Sequence, residues 1–193
     1  MPTEKSPARP LRADARRNRT AVLRAAQEAF AAEGLAVPLD EIARRAGVGA
    51  GTVYRHFPTK EALFEAVVLD QLEQLVEHAK AAGAAADPAE AFYAFLAELV
   101  ADAHVKKDLA DALAGAGVEL SAATLAASST FQRELGLLLT AAQARGAVRA
   151  DLDQADLHAL IMAALAAERH RADPARPGRI TAILLTALRP QGA

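Results

Sequence analysis

The sequence of 193 residues contains no cysteine. It therefore has no disulfide framework, no thiolate zinc site and no cysteine nucleophile. Long apolar runs are also missing, because the longest charge-free stretch, residues 120–132, is too short and too rich in serine and threonine to span a bilayer. The basic N-terminus lacks the apolar stretch of a signal peptide. We expect a cytoplasmic protein with no membrane partner.

The charges are divided unevenly along the chain, although the formal net charge is only −2. Residues 1–60 carry 11 Lys and Arg against 6 Asp and Glu, whereas residues 61–193 carry 11 against 18. Over half of the chain is apolar, which is enough to bury a sizeable core. The basic front and acidic back indicate that only the front meets a polyanion, although solvated surface charge would produce a similar division.

The whole chain is predicted to be all-α, because helix-forming residues dominate and no segment alternates apolar and polar residues with period two. Residues 1–12, with three prolines and mixed charge, are predicted to form a disordered basic arm. Thr59, Asp87 and Asp153 are expected to cap helices. About nine helices follow the arm, near residues 14–33, 39–46, 50–57, 60–79, 88–104, 105–114, 122–145, 154–165 and 180–187.

Two short helices within residues 39–57 have the spacing of a helix-turn-helix. The small side chain of Ala43 allows the helices to approach closely, and Gly47 allows the left-handed turn between them. Val48 is expected to fill the corner of the turn and Val53 to pack back on the first helix. Unrelated helical hairpins can show the same spacing, so this pattern does not identify the motif by itself.

The residues after the turn are more specific. Residues 51–64 read GTVYRHFPTKEALF, which resembles the signature of the TetR/AcrR family, in which a recognition helix ending in Tyr-x-His-Phe runs into Lys-Glu-x-Leu. The resemblance covers residues 14–64 strongly. It implies a transcriptional regulator with an N-terminal three-helix helix-turn-helix DNA-binding domain over residues 13–60. Residues 61–193 would form a C-terminal helical effector-binding and dimerisation domain.

The motif also predicts which side chains meet DNA. Small residues at the start of the recognition helix can enter the major groove, and Arg55 is the best candidate for a contact to guanine. The resemblance implies phosphate contacts for Tyr54 and His56. A phosphate would also explain Lys60 in the first turn of a helix, where lysine opposes the helix dipole. The predicted DNA-binding residues are Arg17, Ala50, Gly51, Thr52, Tyr54, Arg55, His56 and Lys60.

Two of these side chains also suit purely structural roles. Tyr54 fits a semi-buried aromatic, and His56 fits a helix C-terminus, where histidine is favourable. The nearby Arg44 and Arg45 are interpreted as solvated surface.

Two positions depart from the family pattern. Pro38 stands where many relatives have a hydroxyl residue, and Gly49 stands where they have serine, so both helix caps are weaker. Because Ala50 and Gly51 offer few hydrogen-bond donors, we expect sparse base readout and a larger contribution from operator shape.

Beyond residue 64 the resemblance consists only of a matching number of helices and a final Leu-Arg-Pro, residues 188–190, which many family members also show. The resemblance implies a pocket for an unknown small-molecule effector between the fourth and eighth helices, in which His104 or His158 would be a polar anchor. Each candidate is also consistent with ordinary core. The predicted ligand-binding residues are Phe92, Phe95, Leu99, His104, Phe131, Leu135, His158 and Met162.

A homodimer is expected because one helix-turn-helix contacts only a few base pairs, so useful affinity requires two half-sites. In the family, the last two long helices pair with those of a second copy. Helical periodicity cannot separate such a surface from the core of a single chain. The predicted dimerisation residues are Leu157, Leu160, Ile161, Ala164, Leu165, Ile180, Ile183, Leu184 and Ala187.

The function expected from these patterns is a repressor that binds a palindromic double-stranded operator as a homodimer and is released by an effector, with no cofactor. A DNA-binding activator or architectural protein without a ligand shares every residue of the motif and stays open. A helical enzyme is a further alternative. Against it, the sequence has no phosphate-cradling glycine loop, no nucleophile elbow and no residues at metal-ligand spacing.

Overall fold

The computed structural model describes residues 8–101, 120–170 and 178–190, and all regular structure in these ranges is helical. The chain forms two compact units, an N-terminal unit (Met1–Val67) and a C-terminal unit (Val68–Ala193), and the division falls inside the fourth helix. The α-helices of the described ranges are α1 (Ala8–Glu33), α2 (Leu39–Ala46), α3 (Ala50–His56), α4 (Lys60–Gly83), α5 (Pro88–Ala101), α6 (Ala122–Ala144), α7 (Gln154–His170) and α8 (Arg179–Ala187).

The first helix begins earlier than predicted. Because α1 starts at Ala8, the prediction of a disordered arm is wrong for residues 8–12, and residues 1–7 lie outside the described ranges. Alanine, leucine and arginine favour a helix there, and Pro10 is tolerated because the N–H groups of a first helical turn have no intrahelical partner. The predicted sixth helix, residues 105–114, also lies outside the described ranges.

The three predicted helix caps are confirmed. Thr59 Oγ1 accepts a hydrogen bond of 3.1 Å from the backbone of α4. Asp87 Oδ1 accepts two from the first turn of α5, at 2.9 and 3.2 Å. Asp153 and Asp156 each accept a bond from the other's N–H, at 2.8 and 3.2 Å. Such caps contribute about 1 kcal/mol each by satisfying backbone donors that the helix leaves unpaired.

The core of the N-terminal unit lies where α2 packs against α1 and α3. Ile42 of α2 and Val53 of α3 are fully buried, as the helix-turn-helix pattern predicts. The rings of Phe30 and Phe64 meet edge to face with their centroids 5.7 Å apart, which joins α1 to the first turns of α4. The buried apolar residues of this unit are Val22, Leu23, Ala25, Ala26, Ala29, Phe30, Val37, Leu39, Ile42, Ala43, Val53, Phe57, Leu63, Phe64 and Val67.

The C-terminal unit is centred on α5, which packs against α6, α7 and α8. Within the described ranges, no helix combines the length and the apolar character needed to cross a membrane. The buried apolar residues of this unit are Val68, Leu72, Leu75, Val76, Ala79, Phe92, Phe95, Leu96, Leu99, Val100, Leu135, Leu138, Leu139, Ala142, Val148, Leu157, Ile161, Ala164, Leu165, Leu184 and Leu188.

The residues that follow α8 contact two other parts of the C-terminal unit, helix α5 and the turn after α6. Tyr93 Oη of α5 donates a 2.8 Å hydrogen bond to the carbonyl of Ala147, in the turn after α6. The guanidinium carbon of Arg189 lies 4.9 Å from the centroid of the Tyr93 ring. The N–H of Arg149 donates to the carbonyl of Leu188 at 3.0 Å. Three segments that are distant in sequence therefore meet here.

Candidate nucleic-acid interface and effector site

Gly47 makes the turn between α2 and α3. Its φ of 69° and ψ of 26° lie in the left-handed region, which L-residues with a Cβ rarely adopt. The N–H of Gly47 donates to the carbonyl of Arg44 at 3.2 Å, and the N–H of Val48 donates to the carbonyl of Ala43 at 3.0 Å. These bonds close the end of α2 and set the direction in which α3 leaves. The predicted role of Gly47 is confirmed.

Helix α3 turns one side to the core and the others to solvent. Val53 is fully buried, whereas Tyr54 keeps 46% of its area exposed. Gly49 precedes the helix, and its carbonyl accepts a 2.8 Å bond from the N–H of Thr52. The structure thus gathers six of the predicted DNA-binding residues on one short helix, while their contacts to DNA stay predictions. Of these six, Gly51, Tyr54, Arg55 and His56 are exposed, and Ala50 and Thr52 are half-buried.

The side chain of Arg55 folds back along α3. Its Nε donates to the carbonyl of Gly51 at 3.0 Å, and its Nη2 donates to Oγ1 of Thr52 at 3.3 Å. The guanidinium predicted to read a guanine is therefore held by its own helix in this conformation. Bidentate contact with a base requires it to turn outward and exchange these acceptors for those of the base.

Lys60 has an intramolecular partner that sequence reasoning missed. Its Nζ donates a 2.7 Å hydrogen bond to the carbonyl of Leu35, in the short turn Gly34–Ala36 that follows α1. This contact is a sufficient reason for a lysine in the first turn of α4, so its position is not by itself a sign of phosphate binding. An ammonium group has three donors, so the bond to Leu35 does not use all of them.

Arg17 lies on α1, apart in sequence from the recognition helix. Its side chain is exposed and forms an ion pair with Asp14, one helical turn earlier. An exposed pair of this kind is weak, because water screens the charges and two long side chains lose freedom. Arg17 is therefore available to exchange its partner, and its contact with DNA stays a prediction.

Arg44 and Arg45 belong to an ion-pair network and are not simply solvated. Glu41 accepts from Arg44 Nη2 at 2.7 Å and from Arg45 Nε at 2.8 Å, and Arg45 Nη1 lies 2.6 Å from Oε1 of Glu33 at the end of α1. The hydrogen bonds from Arg44 and then Arg45 lower the pKa of Glu41 from 4.5 to about 2. The spacing of three and four residues between Glu41 and the arginines is the sequence signal that could have revealed the pairing.

The predicted ligand-binding residues lie in the C-terminal unit at different depths. The ring centroids of Phe95 and Phe131 are 6.3 Å apart, so α5 and α6 meet there. Two open clefts of this unit, of about 500 and 760 Å³, are lined by other residues. Within the described ranges no three His, Asp or Glu residues are grouped so that they could hold a metal ion. Phe92, Phe95, Leu99 and Leu135 are buried, Phe131, His158 and Met162 are half-buried, and His104 lies outside the described ranges.

Gln71 of α4 is a buried polar residue that sequence reasoning missed. Only 7% of its area is exposed, and neither its Oε1 nor its Nε2 has a hydrogen-bond partner among the described residues. An amide left unpaired in this way costs about 1–3 kcal/mol. The sequence signal for it is a polar residue interrupting the apolar stripe of α4, between Val68 and Leu72.

The predicted dimerisation residues divide into two groups. Five of them are buried within the single chain, so they pack in its core, which is the alternative that helical periodicity left open, and their part in dimerisation stays a prediction. Leu160 and Ile183 are 36% and 51% exposed, on the two helices α7 and α8, which pack together. The buried five are Leu157, Ile161, Ala164, Leu165 and Leu184, whereas Leu160, Ile183 and Ala187 are exposed and Ile180 is half-buried.

Two family models match this chain. Residues 22–67 match the model described as "Bacterial regulatory proteins, tetR family", and residues 87–190 match "Transcriptional regulator SbtR-like, C-terminal domain". Among curated proteins, a helix-turn-helix-type transcriptional regulator of Staphylococcus aureus is 35% identical over 71 residues, which is 36% of this chain. The match spans only 38% of the length of that relative.

Two solved structures are similar over nearly the whole chain. A TetR transcription regulatory protein from Mycobacterium vanbaalenii is 48% identical, with a TM-score of 0.74 over 93% of this chain and 99% of its own. A TetR transcriptional regulator from Streptomyces coelicolor is 33% identical, with a TM-score of 0.72 over 90% and 99%. The chain therefore belongs to the TetR family of transcriptional regulators, which are DNA-binding transcription factors and not enzymes.

Proposed function

We propose that the protein is a repressor that binds a palindromic operator as a homodimer and leaves it when a small molecule enters the C-terminal unit. The observation that carries the DNA-binding part is the geometry of α3. This helix is held to the core by Val53 and exposes Tyr54, Arg55 and His56. A short helix anchored on one side fits the major groove, which is about 12 Å wide.

The side chains of α3 have separate roles in this proposal. Gly51 and Thr52 allow close approach to the base edges, and the Thr52 methyl can touch a thymine methyl. Arg55 turns outward to a guanine, while Tyr54 and His56 bind phosphates on either side and fix the pose of the helix. Because the start of α3 offers few donors, the shape of the operator contributes to specificity.

Dimerisation places two copies of α3 in successive major grooves, about 34–36 Å apart. The exposed side chains Leu160, Ile183 and Ala187 support α7 and α8 as the contact surface, because the other faces of these helices are already used in the core of the chain. Two linked half-sites supply the affinity that one short helix lacks.

Release by an effector is supported by α4. The helix begins in the N-terminal unit, where Phe64 packs on Phe30, and continues into the C-terminal unit, where Gln71 is buried. A ligand that binds the C-terminal unit more tightly when α4 is displaced therefore weakens DNA binding. A coupling free energy of about 1–3 kcal/mol changes operator affinity by about 5–150-fold.

The DNA-binding part is tested by selection from a random double-stranded DNA library, followed by fluorescence anisotropy with the enriched sequence. We expect an inverted repeat whose half-sites lie about one helical turn apart, and an affinity that falls steeply with salt. Light scattering should give the mass of two chains in solution. Enrichment of no sequence, or binding as a single chain to a lone half-site, would contradict the proposal.

The ligand part needs a separate experiment, because an activator or architectural protein would share the DNA site. The selected operator is placed over a reporter promoter, and a panel of small molecules is screened for release of the protein from the same DNA in vitro. Repression in the reporter and release by at least one compound are expected. Activation of the reporter, or DNA binding that no compound alters, would favour the alternative.

A further inference from the structure

Among its described residues, the C-terminal unit buries few polar side chains. Three are buried in the described part of the chain: Gln71, Thr124 and Thr181. Thr124 bonds with Ser121 at the start of α6, and Oγ1 of Thr181 donates to Glu168 at 3.2 Å. Both threonines therefore have partners, whereas neither amide atom of Gln71 has one among the described residues.

The surroundings of Gln71 on α4 make this lack of partners more significant. One turn before it lies Val68 and one turn after it lies Leu75, and both are buried, as is the adjacent Leu72. A single water molecule needs two to four polar partners to be stable in such a place, and these three residues of α4 offer it no polar side chain. A polar group of another molecule would satisfy the amide in place of water.

We propose that Gln71 is the polar anchor of the effector site, and that the effector is a neutral, mostly apolar molecule with a hydrogen-bond donor next to an acceptor, as in a carboxamide or lactam. This inference rests on the proposed effector response. A glutamine amide offers one carbonyl acceptor and two N–H donors, so it pairs with such a group through two parallel bonds. The buried residues of α4 from Val68 to Ala79 are uncharged, so this helix offers no charged partner to an ionised effector.

The first test needs no effector. Gln71→Met keeps the length of the side chain and removes the unpaired donor and acceptor, so the ligand-free protein should become more stable. We expect a rise in Tm of about 2–4 °C for a chain of this size. Gln74→Met, at an exposed position of the same helix, is the matched control and should change Tm little. A fall in Tm for Gln71→Met alone would show that the amide already has a partner, which overturns the proposal.

The second test measures the predicted chemistry by isothermal titration calorimetry. Hexanamide, octanamide and decanamide are compared with heptan-2-one, nonan-2-one and undecan-2-one, in which a methyl group replaces the NH₂ group. The best amide should bind the wild-type protein about tenfold more tightly than its ketone partner, and Gln71→Met should abolish that preference. Binding by none of the amides, or a preference that survives in Gln71→Met, would overturn the proposal.

A third measurement separates this inference from the proposed function. The same compounds are added to the wild-type protein and to Gln71→Met on the selected operator. If both proteins release DNA equally with amides and ketones, the effector response stands and the role of Gln71 is wrong. If amide binding depends on Gln71 while no compound alters DNA binding, the anchor stands and the effector response is wrong.

Discussion

The two units of the molecule carry their polar groups in opposite places. In the described part of the N-terminal unit every buried side chain is apolar, and the candidate functional groups, such as Tyr54 and Arg55, are exposed. The C-terminal unit instead buries an amide, Gln71, that has no partner among the described residues. A charged polymer must be met at the surface, whereas a small apolar molecule is bound by being enclosed. The contrast therefore suggests two different kinds of ligand for the two halves.

The largest effect on stability is expected from a substitution in the core of the C-terminal unit. Phe92 is fully buried and meets the ring of Tyr93 edge to face at 5.4 Å. Phe92→Ala should lower the free energy of unfolding by about 3–5 kcal/mol, measured by urea denaturation, because it leaves a cavity in a packed core. Phe131→Ala, at a half-buried position, is the control and should cost less. Equal losses would show that Phe92 is packed no more tightly than Phe131, which would contradict its place in the core.

Substitutions on α3 should affect DNA binding and leave the fold intact. Arg55→Ala should cost about 1–3 kcal/mol of binding free energy at one base position, whereas Tyr54→Phe should weaken binding evenly across sequences. Anisotropy with single-base variants of the selected operator separates the two patterns. Arg133→Ala removes the same charge from an exposed position of the C-terminal unit and should have little effect. If Arg133→Ala weakened binding as much, α3 would not be the surface that meets DNA.

The stability of the N-terminal unit should be sensitive to a single methyl group added at the turn before α3. Gly47→Ala forces a Cβ into the left-handed region and should destabilise the N-terminal unit by about 1–2 kcal/mol. Gly51→Ala lies within helix α3, and outside its chain neighbours and the helix backbone nothing lies within 4 Å of the new Cβ, so it should stabilise by about 0.5–1 kcal/mol. Hydrogen exchange of the amides in α2 and α3 reports both changes. The same sign for both substitutions would contradict the geometry of the turn.

The smallest effect is expected in the dependence of stability on pH. The pKa of Glu41 is about 2 in the folded protein and 4.5 ordinarily, so its contacts with Arg44 and Arg45 stabilise the fold above pH 4.5 and are lost as the pH falls towards 2. Glu41→Gln should remove this part of the acid dependence, measured as Tm against pH. Asp40→Asn removes the same charge one residue away and serves as the control. An unchanged pH profile in Glu41→Gln would show that the network contributes no stability.

Local features of the fold could be predicted from the sequence because they depend on single residues. Gly47 as a left-handed turn and Asp87 as a cap follow from backbone sterics and from unpaired N–H groups. The bond from Lys60 to Leu35 could not be predicted, because it joins segments whose approach depends on the packing of α1 and α4.

The same distinction, between features set by local sequence and features set by packing, applies to the candidate functional sites. The exposed residues of α3 form a contiguous motif, which a sequence displays directly. Residues inside the C-terminal unit form no such motif. An apolar stripe has the same period whether it faces its own chain, a second chain or a ligand. For this reason the sequence pattern assigns Leu157 and Leu160 one role, although the first is buried and the second exposed. Gln71 escapes sequence reasoning because only the packed structure shows that its amide has no partner among the described residues.

The contacts that complete the two units also differ in how much of the chain must exist before they can form. Lys60 reaches back only to Leu35, so the N-terminal unit can close early during synthesis. The C-terminal unit must wait for Leu188 and Arg189 to meet partners as far back as Tyr93. Contacts over such long stretches of chain form slowly. On the ribosome the DNA-binding half should therefore be finished first, while the faces of α5 and α7 on which α8 packs stay exposed until α8 emerges.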